Sequence, residues 1–269
     1  MARSRTVSQL VRTFEGDEGH RAPDRLLVEE PLEIRLDGTR VTTTMRTPGH
    51  DFELAVGFCF AEGLLAGAPV REVTYCATGS AVDTEFNIVT VSTGGRAPVP
   101  MARLTTTTSS CGWCGTDQID DVAGRLSPIS HPVAFTPAVL AAVADQVQGS
   151  QELFAATGSS HAAAAFDIAG SVTIVREDIG RHNAVDKVLG RLVLDGTVPA
   201  PDLGLFVSGR ASFEIVQKAW AGGFSAIVAV SAPSSLAAEA ARRAGITLAG
   251  FARPGRVNIY VDGAMAVPQ

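Results

Sequence analysis

The stretch Ser109-Ser110-Cys111-Gly112-Trp113-Cys114-Gly115-Thr116 sets two thiols three positions apart. Gly112 and Gly115 each follow a cysteine and lack a Cβ, so the backbone bends freely and each sulfur can turn toward a different partner. Upstream, Thr105 to Thr108 carry no helical apolar period, and residues 105–116 are expected to be a mobile loop with a reactive thiol. Three chemistries use such a pair. Structural zinc needs four ligands, commonly two pairs of this kind. Here there is one pair, and Cys59 and Cys76 fall in apolar segments expected to be core. Thiol–disulfide exchange places the pair directly after a strand, at a helix N-terminus. A hydroxyl-rich loop precedes it instead, and Asp117 and Asp120 downstream oppose a thiolate. The third chemistry is sulfur relay, in which a thiolate takes the outer sulfur of a donor persulfide and holds it as Cys–S–SH. Spacing alone leaves the three level.

A second polar cluster is Glu177-Asp178-Ile179-Gly180-Arg181-His182-Asn183, at an expected strand-to-helix junction. Asp186 lies four residues after His182, on the same helical face, and is expected to orient its imidazole. Helix capping is the competing role for Asp178. His161, before an alanine run, reads as structural rather than catalytic.

These groups need a frame. Leu32–Leu36 alternates with period two, Asp37-Gly38 signals a hairpin turn, and Val41–Arg46 returns as a strand. A helix is expected over Asp51–Leu65, and further strands over Val70–Cys76 and Phe86–Val91. Residues 26–104 therefore read as a small α+β unit, after a flexible tail over 1–25. Thr136-Pro137 is a helix start, with Thr136 as cap and Phe135 placed to staple Leu140. Ala162–Asp167 and Ser171–Glu177 read as a hairpin around Ala169-Gly170. Helices near Val185–Leu192, Ser212–Gly222 and Ser234–Ala244 then alternate with strands over Leu203–Ser208, Ala226–Ser231 and Thr247–Ala252. That alternation predicts an α/β domain over 117–269, three layers deep, with a mixed, largely parallel sheet.

In such sheets ligands bind beyond the carboxyl ends of the strands. There the sequence places Ser208-Gly209-Arg210, then Ser231 to Ser234, then Phe251-Ala252-Arg253-Pro254-Gly255-Arg256. Three such loops offer cations, hydroxyls and helix N-termini, which suits a phosphate-bearing anion. The net charge of −6 excludes generic nucleic-acid binding, so any anion site is local. No run has the apolar length of an export signal or a bilayer span. A reducing cytoplasm is the expected compartment, with the cysteines as thiols.

Taken together, these motifs resemble the FdhD family of formate dehydrogenase accessory sulfurtransferases. The matching segments are Gly57-Phe58 with Glu62-Gly63, Cys111-Gly112-Trp113-Cys114-Gly115, His161-Ala162-Ala163, and Glu177 to His182 with Asp186-Lys187. Ser208 to Ser212 with Gln217-Lys218, and Gly250-Phe251 with Pro254-Gly255-Arg256, complete the set. The resemblance implies that a cysteine desulfurase donates sulfur to Cys111 as a persulfide, with Cys114 assisting. The acceptor it implies is a Mo-bis(molybdopterin guanine dinucleotide) cofactor destined for formate dehydrogenase. The cofactor site it implies matches Phe251, Ala252, Arg253, Pro254, Gly255 and Arg256; Ser208 and Arg210 join it from the strand-end argument, and His182 from the polar cluster at the strand-to-helix junction. It also implies a cytidine-deaminase-like fold for the second half, a homodimer, and no stably bound metal. A cofactor-binding chaperone without sulfur transfer is the alternative. A zinc deaminase is disfavoured, because Arg181-His182-Asn183-Ala184 lacks the glutamate that such enzymes place two residues after the histidine.

Overall fold

The structure, a computed structural model, describes residues 3–76, 81–82, 84–100 and 115–263. Its first elements are β1 (Thr6–Glu15) and β2 (Glu18–Leu27), an antiparallel hairpin that makes a two-stranded sheet of its own. This corrects the flexible tail expected over residues 1–25. Gly16, at φ 65, supplies the left-handed residue that a two-residue turn between Glu15 and Glu18 needs.

The next unit holds β3 (Glu30–Leu36), β4 (Thr39–Arg46), α1 (Asp51–Ala61), β5 (Glu72–Tyr75) and β6 (Ile88–Ser92). Its sheet order is β4-β3-β6-β5, with β3 and β6 parallel. Leu32, Ile34 and Leu36 bury their period-two face against Leu54, Val56 and Cys59 of α1. The helix stops short of the expected Leu65, and the chain turns at Gly63, φ 73. Cys59 is buried as expected, but Cys76 is only half-buried, in a left-handed conformation of φ 50.

The larger unit follows, with α2 (Gly115–Ala123), α3 (Pro137–Gln148), α4 (Glu152–Thr157), β7 (His161–Phe166), β8 (Val172–Asp178) and α5 (Arg181–Leu194). It continues through β9 (Gly204–Val207), α6 (Phe213–Gly222), β10 (Ala226–Ala229), α7 (Ser235–Ala244), β11 (Thr247–Arg253) and β12 (Arg256–Val261). The six-stranded sheet has the order β12-β11-β10-β9-β7-β8. It is mixed, and parallel only at its centre, where β9, β10 and β11 run together. The β7–β8 and β11–β12 hairpins add antiparallel edges, which corrects "largely parallel". The hairpins turn at Gly170 and Gly255, both at positive φ.

Side chains alternate across this sheet. Ala163, Ala165, Leu205, Val207 and Ile227 face α5, α6 and α7. Ala164, Phe166, Phe206 and Val228 face α3 and Phe135 on the other side. Three layers result, and no helix among the described residues is long and apolar enough to cross a membrane. The start of α3 is as expected: Thr136 Oγ1 accepts from the Val139 N–H at 3.3 Å, and Pro137 takes the first helical position.

The seam between the two units is tight. A Cβ on Gly57 of α1 would lie 1.9 Å from the Asp186 carbonyl oxygen, and one on Gly190 of α5 would lie 1.8 Å from that of Glu53. Only glycine lets the two helix backbones approach so closely. Beside this contact, Lys187 and Asp178 are fully buried and pair at 2.7 Å. Lys187 Nζ also donates to the Thr47 carbonyl at 3.0 Å, and Thr47 N–H donates back to Asp178 at 3.1 Å. Asn183 spans the same seam, donating to the Met45 carbonyl and to Asp178. Every polar atom is drawn into one network that bolts β4 to α5, as buried polar groups require.

Candidate functional site

Because β9, β10 and β11 are parallel, their carboxyl ends share one edge of the sheet, and β7 contributes its start, His161, beside the end of β9. The strand ladder continues past the strands: Ser208 N–H donates to the Ala162 carbonyl, Ser231 N–H to Gly209, and Phe251 N–H to Ser231. The expected loops after β9, β10 and β11 therefore do converge.

At the β9 end, Ser208 Oγ accepts from Ala162 N–H at 2.9 Å and lies 3.4 Å from His161 Nδ1. Burial lowers the His161 pKa, and the charges of Arg181 and His182 lower it further. Burial thus favours the neutral form of its ring, which Ser208 fixes in place. Gly209 sits between the two side chains. A Cβ there would stand 3.5 Å from His161 Cε1 and 3.8 Å from Arg181 Cδ, filling the notch they leave. Arg181 Nε is buried with no hydrogen-bond partner among the described residues. Arg210 is exposed on the next position.

His182 does not take the partner expected of it. Asp186 is turned to Lys218, at 2.7 Å, inside the seam, and burial raises its carboxyl to about 6 against the pull of that ammonium. His182 instead reaches Glu214 of α6, Nε2 to Oε2 at 2.8 Å, with Ser212 Oγ at 3.4 Å. That hydrogen bond to His182 holds the Glu214 carboxyl below its usual range. Ser212 occupies the N-cap of α6 without capping it, whereas Ser234, at the N-cap of α7, accepts from Ala237 N–H. The hydroxyl of Ser212 is spent on the His182–Glu214 pair. Glu214 escaped sequence reasoning because the pair joins two helices and has no spacing to betray it.

Glu177 and Asp178 are structural. Glu177 accepts from the N–H groups of Leu153 and Phe154 at the start of α4 and from Ser160 Oγ, and Asp178 belongs to the seam.

At the β11 end, Phe251, Arg253, Arg256 and Asn258 line an open cleft of about 270 Å³. A register shift between Gly250 and Arg253 interrupts the β11–β12 ladder. Phe251 sits within it at φ 52 and is 41% exposed. A bulky residue in the left-handed region is strained, and such strain gathers at binding sites. The bulge aims the ring out of the sheet and into the cleft. Arg253 donates through Nη1 to the Val230 and Ala252 carbonyls, so its fork is anchored to the strand ends. The Arg256 side chain is exposed and has no ion pair or hydrogen bond among the described residues. Pro254 and Gly255 form the turn between them. Ala252 is fully buried among the residues packed against α3, so its side chain cannot meet a ligand there, and only its carbonyl takes part.

The edge thus joins cationic and hydroxyl groups to one exposed aromatic ring. That set can hold a phosphate chain and stack a planar base. Among the described residues, no three His, Cys, Asp or Glu side chains gather into a metal-holding group. Cys111 and Cys114 lie outside the described residues. The chain re-enters at α2, whose Ile119 and Val122 are buried in the same apolar cluster as α5, α6 and α7, the helices whose N-termini meet the site. Cys59, by contrast, is sealed in, and burial pushes its thiol up to about 12.

The model of the FdhD/NarQ family matches residues 27–265. A relative from Streptomyces coelicolor named sulfur carrier protein FdhD is 46% identical over 269 residues, covering 97% of this chain and 95% of the relative. One of the same name from Mycobacterium tuberculosis is 45% identical over 268 residues, covering 95% of this chain and 96% of the relative. A crystal structure from Desulfotalea psychrophila, described as a formate dehydrogenase accessory protein, superposes with a TM-score of 0.77 at 22% identity, covering 98% of this chain and 100% of its own.

Proposed function

Because this chain belongs to the FdhD/NarQ family, we propose that it carries sulfur as a cysteine persulfide and delivers it to a guanine-dinucleotide molybdenum cofactor for a formate dehydrogenase. The observation that carries this reading is the carboxyl edge, where an exposed phenylalanine and two arginines flank one open cleft, with His161 farther along the same edge. A pterin dinucleotide has the matching parts, a planar base and a chain of phosphates.

The Cys111 thiolate attacks the outer sulfur of a persulfide on a cysteine desulfurase. The S–S bond of the donor breaks, the donor thiolate leaves, and Cys111 holds the sulfur as Cys–S–SH. Cys114 stands ready as the assisting thiol. The cofactor is cargo, docked through Phe251, Arg253 and Arg256, with Ser208, Arg210 and His182 along the same edge. Residues 117–269 take a cytidine-deaminase-like fold in this reading, and two copies form a cytoplasmic homodimer. The family likeness supports both.

The test is intact-mass analysis after incubation with a cysteine desulfurase and cysteine. The wild-type chain should gain one sulfur and Cys111→Ala should not. A sulfur adduct that survives Cys111→Ala would remove the assigned carrier. Absence of any adduct, with nucleotide binding intact, would favour a cofactor-binding chaperone.

A further inference from the structure

All but the last residue of the β1–β2 hairpin lies outside the 27–265 segment matched to the family, and the chemistry above leaves the hairpin unused. Its two strands are each 10 residues long and pair with nothing but each other. A two-stranded ribbon alone in water is marginal, and although α4 packs against β2, most of both strands stays exposed, which suits a surface built to be covered.

Its register sorts its charges. Arg12 faces Arg21, Ser8 faces Arg25, Leu10 faces Pro23 and Phe14 faces Gly19, all on one face. That face holds three arginines and no acid, around Leu10 and Phe14, which are 60% and 61% exposed. The opposite face carries Glu15, Glu18 and Asp24 beside Val7 and Leu26. Like charges directly opposite each other cost stability within a ribbon, so the arrangement is not explained by the hairpin itself. Nor does it favour two ribbons meeting by the same face across a two-fold axis, since that would set arginine on arginine.

The root of the ribbon fixes where it stands. Arg5, one residue before β1, lines a small polar cavity with His50, Ser150, Glu152 and Arg176 of β8. β8 is one edge of the six-stranded sheet, and the Phe251–Arg256 cleft belongs to the β11–β12 hairpin at the other edge. A protein seated on the ribbon therefore leaves the cleft open.

We propose that the arginine face of this ribbon is the docking surface for the sulfur donor, a protein that presents an acidic patch with an apolar centre. The inference rests on the sulfur-carrier reading. A cofactor acceptor must approach the cleft, so the donor needs a separate surface, and the ribbon is the cationic, apolar surface at the other edge. Opposite charge on the two partners speeds their encounter, and salt screens it.

The experiment follows the rate of sulfur loading by intact mass for the full chain and for Arg12→Glu/Arg21→Glu/Arg25→Glu. One arm uses a cysteine desulfurase with cysteine, the other glutathione persulfide. The desulfurase-driven rate of the variant should fall about tenfold or more at low ionic strength, with the gap closing as salt rises. Loading from glutathione persulfide should be unchanged, and an unchanged thermal melt certifies a folded variant. Leu10→Ser/Phe14→Ser, which keeps every charge, should slow the desulfurase arm without altering its salt dependence. Equal desulfurase-driven rates would overturn the proposal. So would a change in particle mass by sedimentation, which would give the face to a second copy, or unchanged loading with lost formate dehydrogenase activation, which would give it to the acceptor. If the wild-type chain takes sulfur by neither route, the carrier reading itself has failed, not the ribbon's part in it.

Discussion

At the seam between the two units, Lys187 and Asp178 have no exposed surface and spend their polar atoms on each other, on Thr47, and on Glu177, Gly180 and Asn183. At the carboxyl edge of the sheet, Arg256 and Arg210 stand in solvent, Arg181 Nε has no partner among the described residues, and Phe251 is held at a strained φ of 52. The two regions use the same residue types to opposite ends. The seam satisfies its charges internally and fixes α5 against β4. The edge leaves donors and an aromatic ring unspent, and α5, clamped at the seam, carries Arg181 and His182 into that edge from its first turn. If the contrast is real, seam substitutions should cost stability and edge substitutions should cost affinity.

The largest effect belongs to Lys187→Met. It leaves the Asp178 carboxylate buried without its cation, and breaking a buried pair in this way costs about 3–5 kcal/mol. Chemical denaturation should register that loss, and a change below about 1 kcal/mol would show that the seam is not the rigid half of the molecule. Gly190→Ala comes next. Its methyl would lie 1.8 Å from the Glu53 carbonyl, so α1 and α5 must separate, at the upper end of the ~1–3 kcal/mol usual for overpacking. A thermal melt checks it, and an undiminished midpoint would mean that the helices do not meet as described.

How legible all this was follows from the range of the interactions involved. The hairpin at Asp37-Gly38 and the helix start at Thr136-Pro137 are local, dictated by residues within a few positions of each other, and the structure has both. The strand-end loops were readable because parallel alternation puts them on one edge whatever the details. The β1–β2 ribbon was misread as a tail because its polar, charged strands show no buried face, and only Gly16-Asp17 hinted at its turn. Long-range pairings left no trace in spacing. Asp186 sits four residues from His182, yet α6 offers Lys218 to the one and Glu214 to the other. The exposure of Phe251 depends on a bulge against β12, a strand the sequence reading did not place.

On the edge, Arg256→Ala should weaken binding of guanosine diphosphate by about 1.5–3 kcal/mol, the worth of a charge-assisted contact to phosphate. Its unfolding free energy should not move, since no side chain among the described residues pairs with that of Arg256 and its backbone ladder is kept. Calorimetry and denaturation read the two quantities separately. Unaltered affinity would move the phosphates elsewhere on the edge, toward Arg181 and Arg210.

Phe251→Gly should produce the smallest change in stability and decides most about the contrast. Glycine relieves the left-handed strain, but it also adds conformational freedom to the unfolded chain, worth roughly 0.4–1 kcal/mol in the opposite direction. The two nearly cancel, so the unfolding free energy should stay within about 1 kcal/mol of wild type. Guanine-nucleotide affinity should fall, because the ring proposed to stack the base is gone. A buried core phenylalanine would behave otherwise, costing about 3–5 kcal/mol on truncation. A loss of that size, with affinity preserved, would place Phe251 in the packing and leave the cleft without its aromatic wall.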